Sequence, residues 1–176
     1  MTRALYTLGI LLLQLPLLTA QQQAGIGQWR QYLPFHRAIH VAQSEDEVFF
    51  SSDGGVVAVS KEDQSAQFYT KVNRLTDAGN NVLGYHPGTE TLIVTYRNGN
   101  IDLLGPDGTF NLPFIKTSNN IIGEREINHI FIDGDGAFLA SSFGLSRLDM
   151  RAAEFDYTTL TGVQVFASAR FQDQYY

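Results

Sequence analysis

The sequence predicts an all-β fold of β-propeller blades, each a sheet of four antiparallel strands, and three observations lead to it. Gly55, Gly99 and Gly144 recur 44 and 45 residues apart. A short strand-like run precedes each glycine, and an apolar residue follows each of them after four positions. Outside the first twenty residues no stretch shows a sustained helical period. A β-sandwich with evenly spaced strands is the alternative fold for this pattern.

Residues 1–20 are predicted to be a signal peptide rather than part of the fold. Arg3 supplies a positive charge, and the apolar run from Leu8 to Leu18 is too short to span a bilayer. Ala20 then offers a small residue at the cleavage point. A buried N-terminal helix is the alternative. Because no second long apolar segment follows, we expect an exported protein without a transmembrane segment in the mature chain.

The rest of the chain divides into a strap and a series of blades. Residues 21–38 form the strap, in which Trp29 and Tyr32 are expected to pack against the ring or to serve as a docking point. The predicted blades cover residues 39–79, 80–124 and 125–162, with the start of a fourth at 163–176. Three and a half blades make an incomplete ring, so we expect the sequence to be the N-terminal piece of a longer protein.

Within each repeat the four strands, labelled A to D, are joined by short turns. The B–C turns are predicted at Asp53-Gly54, Asn98-Gly99 and Phe143-Gly144. Asn-Gly is a strong signal for a tight hairpin. In a propeller the A–B and C–D turns share one face, and the B–C turns share the other face with the D–A crossovers between blades.

Composition excludes several classes of protein. The 176 residues carry a net charge of −6, which argues against a general nucleic-acid binder. The absence of cysteine excludes zinc fingers, thiol nucleophiles and disulfide scaffolds.

The residues that could carry chemistry also have structural explanations. Asp133-Gly134-Asp135-Gly136 resembles the start of a calcium loop but lacks the later ligands and aligns with an ordinary A–B turn. Among the histidines, His40 and His129 occupy equivalent strand-A positions two repeats apart, so hydrogen-bonded imidazoles are expected rather than a metal pair. Asp102 and Asp149 could flank a glycosidic bond, but nothing in the sequence sets their separation. We therefore expect no catalysis, no cofactor and no metal.

Charge differs between the two predicted faces. The face of the A–B and C–D turns carries ten acidic residues against Lys61 and Arg151, whereas the opposite face is near neutral. We expect this second face to meet an anionic ligand or partner. The candidate binding residues on it are Lys71, Asn73, Arg74, Arg97, Asn98 and Lys116.

Several segments resemble a known family. The stretch from Lys71 to Asp77 resembles the N-G-L-S-D crossover of two-component regulator propeller repeats, with Arg74 where that motif usually has glycine. The segments Ile26–Pro34 and Ile127–Ile130 look like the N-terminal propeller of the PorZ family of the type IX secretion system. The resemblance runs through nearly all of the sequence after residue 20.

The resemblance implies a non-catalytic surface interaction module at the outer membrane of a Bacteroidota cell. Its implied partners are the sortase-like PorU and the attachment-complex proteins PorV and PorQ, with anionic lipopolysaccharide as a possible ligand. One alternative function is the periplasmic ligand-sensing propeller of a hybrid two-component sensor. A weaker alternative is an exported carbohydrate-active propeller enzyme.

Overall fold

The computed structural model describes residue 35 and residues 37–176. The predicted signal peptide, and the strap residues Trp29 and Tyr32, lie outside the described residues. One strap residue that is described, Phe35, places its ring 4.9 Å from that of Phe68.

The described chain folds into three four-stranded antiparallel sheets and a short hairpin. In each sheet the strands lie side by side in chain order, which is the arrangement of a propeller blade. The first blade contains β1 (His40–Gln43), β2 (Glu47–Ser52), β3 (Gly55–Ser60) and β4 (Ala66–Tyr69). The second contains β5 (Asn80–His86), β6 (Thr91–Tyr96), β7 (Ile101–Gly105) and β8 (Gly108–Leu112). The third contains β9 (Ile127–Asp133), β10 (Gly136–Ser141), β11 (Gly144–Asp149) and β12 (Glu154–Leu160).

Little other regular structure occurs among the described residues. A 3-10 turn (Pro87–Thr89) joins β5 to β6, and the single-turn helix α1 (Phe114–Thr117) follows β8. The strands β13 (Arg170–Phe171) and β14 (Gln174–Tyr175) form the final two-stranded hairpin. The all-β fold class and the incomplete set of blades predicted from the sequence are thus confirmed.

The first three strands of blade 2 are largely buried on both faces because the blade packs between its neighbours. Leu92 and Val94 of β6 join a core with blade 1, whereas Ile93, between them, joins a core with blade 3. Every residue of β6 is buried. This alternation follows from the pleat of a β-strand, which points successive side chains to opposite faces.

Hydrogen bonds from side-chain amides to backbone carbonyl oxygens also link the first strands of the blades to the chain that follows. Asn81 of β5 donates from Nδ2 to the carbonyl oxygen of Ile127 at 2.5 Å. Asn128 of β9 repeats this contact by donating to the carbonyl oxygen of Val165 at 2.7 Å. The same residue type therefore joins each of these blades to the chain that follows it.

The repeated glycines occupy related but not identical positions. Gly55 and Gly144 begin the third strand of their blades, where an added Cβ would lie 2.2 and 2.0 Å from the carbonyl oxygens of Tyr69 and Thr159. Gly99 instead lies inside a longer turn with φ +81°. The third B–C turn is Ser142-Phe143, one residue earlier than predicted, because Gly144 already pairs with Ser141.

Candidate functional site

The turn face that carries the B–C turns and D–A crossovers, called here the crossover face, gathers three of the six candidate binding residues. Asp77 is their common centre. Lys116 places Nζ 2.6 Å from Asp77 Oδ2, Asn98 donates from Nδ2 to the same oxygen at 2.9 Å, and Lys71 Nζ lies 4.0 Å from Oδ1. These contacts link the crossover after blade 1, the B–C turn of blade 2 and helix α1.

The two lysine side chains are more exposed than the aspartate side chain that binds them. The side chains of Lys71 and Lys116 are 64% and 42% exposed, whereas that of Asp77 is 15% exposed. Burial raises the pKa of Asp77, but hydrogen bonds from Lys116, Asn98 and the amide of Ala78 outweigh it and lower the pKa to about 2. The carboxylate therefore stays ionised and positions two exposed ammonium groups on the crossover face.

Arg97 lies on the same face with a different partner. Its guanidinium is 3.6 Å from Asp53 in the B–C turn of blade 1, and both side chains are more than half exposed. Its amide donates to the carbonyl oxygen of Gly79, which joins this turn to the crossover. An exposed pair of this kind contributes little stability.

Asn73 has an internal role. Its Oδ1 accepts from the amide of Thr70 at 2.7 Å, and its Nδ2 donates to the carbonyl oxygen of Phe68 at 2.7 Å. Both ends of the side chain amide therefore stabilise the turn that leaves β4. Asn73 shapes the crossover that carries Lys71.

Arg74 is not brought together with the lysines. Its guanidinium donates to the carbonyl oxygen of Gly105 at 3.0 Å and lies 5.0 Å from the centre of the Tyr69 ring. Its own carbonyl accepts from Thr109. Gly105 and Thr109 flank the C–D turn of blade 2, so Arg74 reaches toward the face opposite the lysine cluster.

The histidines that the structure describes are hydrogen-bonded. His40 and His129 each accept through Nδ1 from a backbone amide, that of Leu83 at 3.3 Å and that of Ser168 at 3.4 Å. Burial and then the charge of His129 lower the pKa of His40. His86 is buried and places Nε2 2.8 Å from the carbonyl oxygen of Gly134. His36 lies outside the described residues.

The carboxylates that raised the possibility of chemistry are held by the protein itself. Asp133 binds Arg170 and accepts from the hydroxyl of Tyr175 at 2.7 Å, within the turn region that joins β9 to β10. Asp149 accepts from two backbone amides in the next turn. Asp102 is fully buried, and Tyr96, Thr76 and Asn111 donate to it.

The comparisons with known proteins agree with this architecture. Residues 48–176 match the family model of the PorZ N-terminal β-propeller domain of the type IX secretion system. The chain belongs to this family. The solved PorZ of Porphyromonas gingivalis, described as an essential bacterial surface component of that system, is 30% identical over 75% of this chain, with a TM-score of 0.69. The match covers 18% of the PorZ chain.

More distant structures share the fold with the PorZ propeller. AztD from Citrobacter koseri is 17% identical over 72% of this chain and 35% of its own, with a TM-score of 0.52. An extracellular domain assigned to a hybrid two component system of B. thetaiotaomicron is 10% identical over 66% of this chain and 16% of its own, with a TM-score of 0.56. At these identities the likeness shows the fold alone. No curated protein matches the sequence.

Among the residues that the structure describes, no helix has the length and apolar character needed to cross a bilayer.

The sequence predicted the cations of the crossover face as binding residues but gave no role to Asp77, which lies at their centre. The position of Asp77 could have indicated this role, because it ends the same crossover motif that contains Lys71.

Proposed function

We propose that this PorZ-family propeller is a non-catalytic interaction module of the type IX secretion attachment machinery, exported to the cell surface and associated with the outer membrane. Its crossover face would bind an anionic ligand, with lipopolysaccharide as the candidate. Its candidate protein partners are PorU, PorV and PorQ. Family membership supports the place in the secretion system, and the lysine cluster supports the ligand's charge.

The observation that carries the binding surface is the pair of exposed ammonium groups held by one partly buried carboxylate. Lys71 and Lys116 come from crossovers of different blades and meet at Asp77. Two cations fixed by one anion leave a local excess of positive charge, and Arg97 adds a third exposed cation on this face. Ammonium and guanidinium groups are the usual partners of phosphate and carboxylate.

The test is binding of the full-length protein to immobilised anionic lipopolysaccharide at low ionic strength. The variant Lys71→Glu/Lys116→Glu should lose at least about tenfold in affinity, since a reversed charge repels an anion over a short distance. The matched control, Lys61→Glu/Arg151→Glu, makes the same change in net charge on the opposite face and should bind within about twofold of the unmodified protein.

Arg97→Glu and Arg74→Glu complete the set of charge reversals. We expect Arg97→Glu also to weaken the binding of lipopolysaccharide. Arg74→Glu should leave that binding unchanged, because Arg74 reaches toward the opposite face. Equal binding by the lysine variant and its control would overturn the proposal. A loss of binding in both would indicate attraction by net charge, and this too would contradict a specific face.

A further inference from the structure

A cleft of about 580 Å³ lies between blades 1 and 2 at the face opposite the lysine cluster. Its floor is apolar and comes from both blades, with Phe49 of β2 on one side and Leu92 and Leu104 of blade 2 on the other. Turn residues of the A–B and C–D connections form its rim. The volume is in the range of pockets that hold small ligands or inserted side chains.

Aromatic rings line this inter-blade cleft. The rings of Phe49 and Tyr85 are stacked, with centroids 5.9 Å apart and an interplanar angle of 18°. At the other side, the guanidinium of Arg74 lies over the ring of Tyr69. The protein's own arginine thus occupies one end of the cleft and makes the contacts that a guanidinium favours, an aromatic face and a carbonyl oxygen.

The rim is acidic. Glu45, Asp46, Glu47 and Glu90 all line the cleft. Among the described residues none of these four carboxylates forms an ion pair. Burial, and then the charges of Glu90, Glu47 and Asp46, raise the pKa of Tyr85, which lines the same cleft as these carboxylates. Against these four negative groups, the described residues that line the cleft include a single cation, the guanidinium of Arg74, so negative charge remains in excess there.

We propose that the inter-blade cleft docks a basic segment of a protein partner, which inserts an arginine side chain against Tyr85 beneath the acidic rim. The occupant is set by charge complementarity and by aromatic walls that accept a planar cation. Arg74 already shows this type of contact within the cleft, since its guanidinium lies over the ring of Tyr69. The surface is separate from the crossover face in position and in sign of charge, so this proposal does not depend on the proposed binding of lipopolysaccharide.

The probe is the amidated pentapeptide Gly-Arg-Gly-Arg-Gly carrying an uncharged BODIPY dye, titrated with the full-length protein and followed by fluorescence anisotropy at low ionic strength. Its control replaces both arginines with citrulline, which has nearly the same shape and no charge. We expect the citrulline peptide to bind at least about tenfold more weakly, because it cannot compensate the carboxylates. Equal binding of the two peptides, or no binding of either, would overturn the proposal.

The location of the site is tested by neutralising carboxylates in pairs. Glu47→Gln/Glu90→Gln should weaken binding of the arginine peptide by about tenfold, since it removes two charges from the rim. The matched control is Glu62→Gln/Glu154→Gln, two glutamates on the same face that do not line the cleft. An equal loss in the control would mean that the whole face attracts cations, and the cleft assignment would be wrong.

Folding of the variants is checked by thermal unfolding followed by circular dichroism. If the double variant loses its cooperative transition, Glu90→Gln alone replaces it, because Glu90 is an exposed residue of a turn. Tyr85→Leu then tests the wall separately. It keeps an apolar side chain but removes the aromatic face, so the arginine peptide should bind several-fold more weakly. Unchanged binding would contradict the insertion beside Tyr85.

Discussion

The hydroxyl of Tyr96 donates to Oδ2 of Asp102 at 2.5 Å inside the second blade, where both residues are fully buried. The amide and hydroxyl of Thr76 donate to the same carboxylate, at 2.8 and 2.6 Å, and Asn111 donates at 2.8 Å. Burial, and then the bond to Asp102, strongly raise the pKa of Tyr96, so the phenol remains a donor. One carboxylate therefore fixes the crossover from blade 1 onto blade 2.

The first prediction concerns the stability that this carboxylate confers. Asp102→Asn should lower the free energy of unfolding by about 3 kcal/mol, because the amide nitrogen faces donors and leaves buried groups unsatisfied. Urea unfolding followed by circular dichroism measures the change. The control Asp107→Asn, at an exposed turn position, should cost less than about 0.5 kcal/mol. Equal stability of Asp102→Asn and the unmodified protein would refute the buried network.

A second prediction follows from the close approach of backbone at Gly144. The glycine has φ +151°, and a Cβ would lie 2.0 Å from the carbonyl oxygen of Thr159, so Gly144→Ala should cost at least about 3 kcal/mol. Gly134→Ala separates this clash from backbone strain, since Gly134 has φ +57° with nothing within 4 Å of the added atom. It should cost about 1 kcal/mol. Similar losses at the two sites, measured by urea unfolding, would show that the clash is not the cause.

The sequence allowed the blades to be predicted more fully than the site. The repeat was visible in the spacing of three glycines, and at Gly55 and Gly144 the reason is physical, because the same close approach of backbone recurs in blades 1 and 3. The contacts of Asp102 with Thr76 and of Arg74 with Gly105 could not be predicted, since each joins a crossover residue to blade 2 and depends on the path of the crossover. Position in the chain places a residue in a turn, but long-range packing decides where its side chain reaches.

A third prediction concerns acid and the lysine cluster. The pKa of Asp77 is about 2 in the folded protein against an ordinary 3.8, so the carboxylate stabilises the fold fully above about pH 5. That contribution, about 2 kcal/mol, is lost as the pH falls through 2. Asp77→Asn should therefore be less stable than the unmodified protein at pH 6, and the gap should close near pH 2. A gap in unfolding free energy that stays constant with pH would contradict this.

The same substitution separates stability from binding. Asp77→Asn removes the anion that holds Lys71 and Lys116 but keeps an oxygen that can accept from the amide of Ala78. If the crossover face is the binding site, the Asp77→Asn variant should bind immobilised lipopolysaccharide severalfold more tightly than the unmodified protein at pH 7. The reason is that the two ammonium groups no longer pair with a carboxylate that competes with the ligand. Weaker binding by a variant that still unfolds cooperatively would mean that Asp77 orders the lysines more than it neutralises them.

The last prediction uses Arg74 to distinguish the two faces in one variant. Arg74→Gln removes a positive charge from the inter-blade cleft and keeps a polar side chain that can donate a hydrogen bond. The arginine peptide should then bind severalfold more tightly, since its cation no longer meets the protein's own guanidinium. Binding to lipopolysaccharide should not change, because Arg74 does not reach the lysine cluster. Anisotropy and surface-binding titrations on the same preparation measure both. Weaker peptide binding, with an unchanged thermal transition, would mean that Arg74 builds the cleft rather than competes for it.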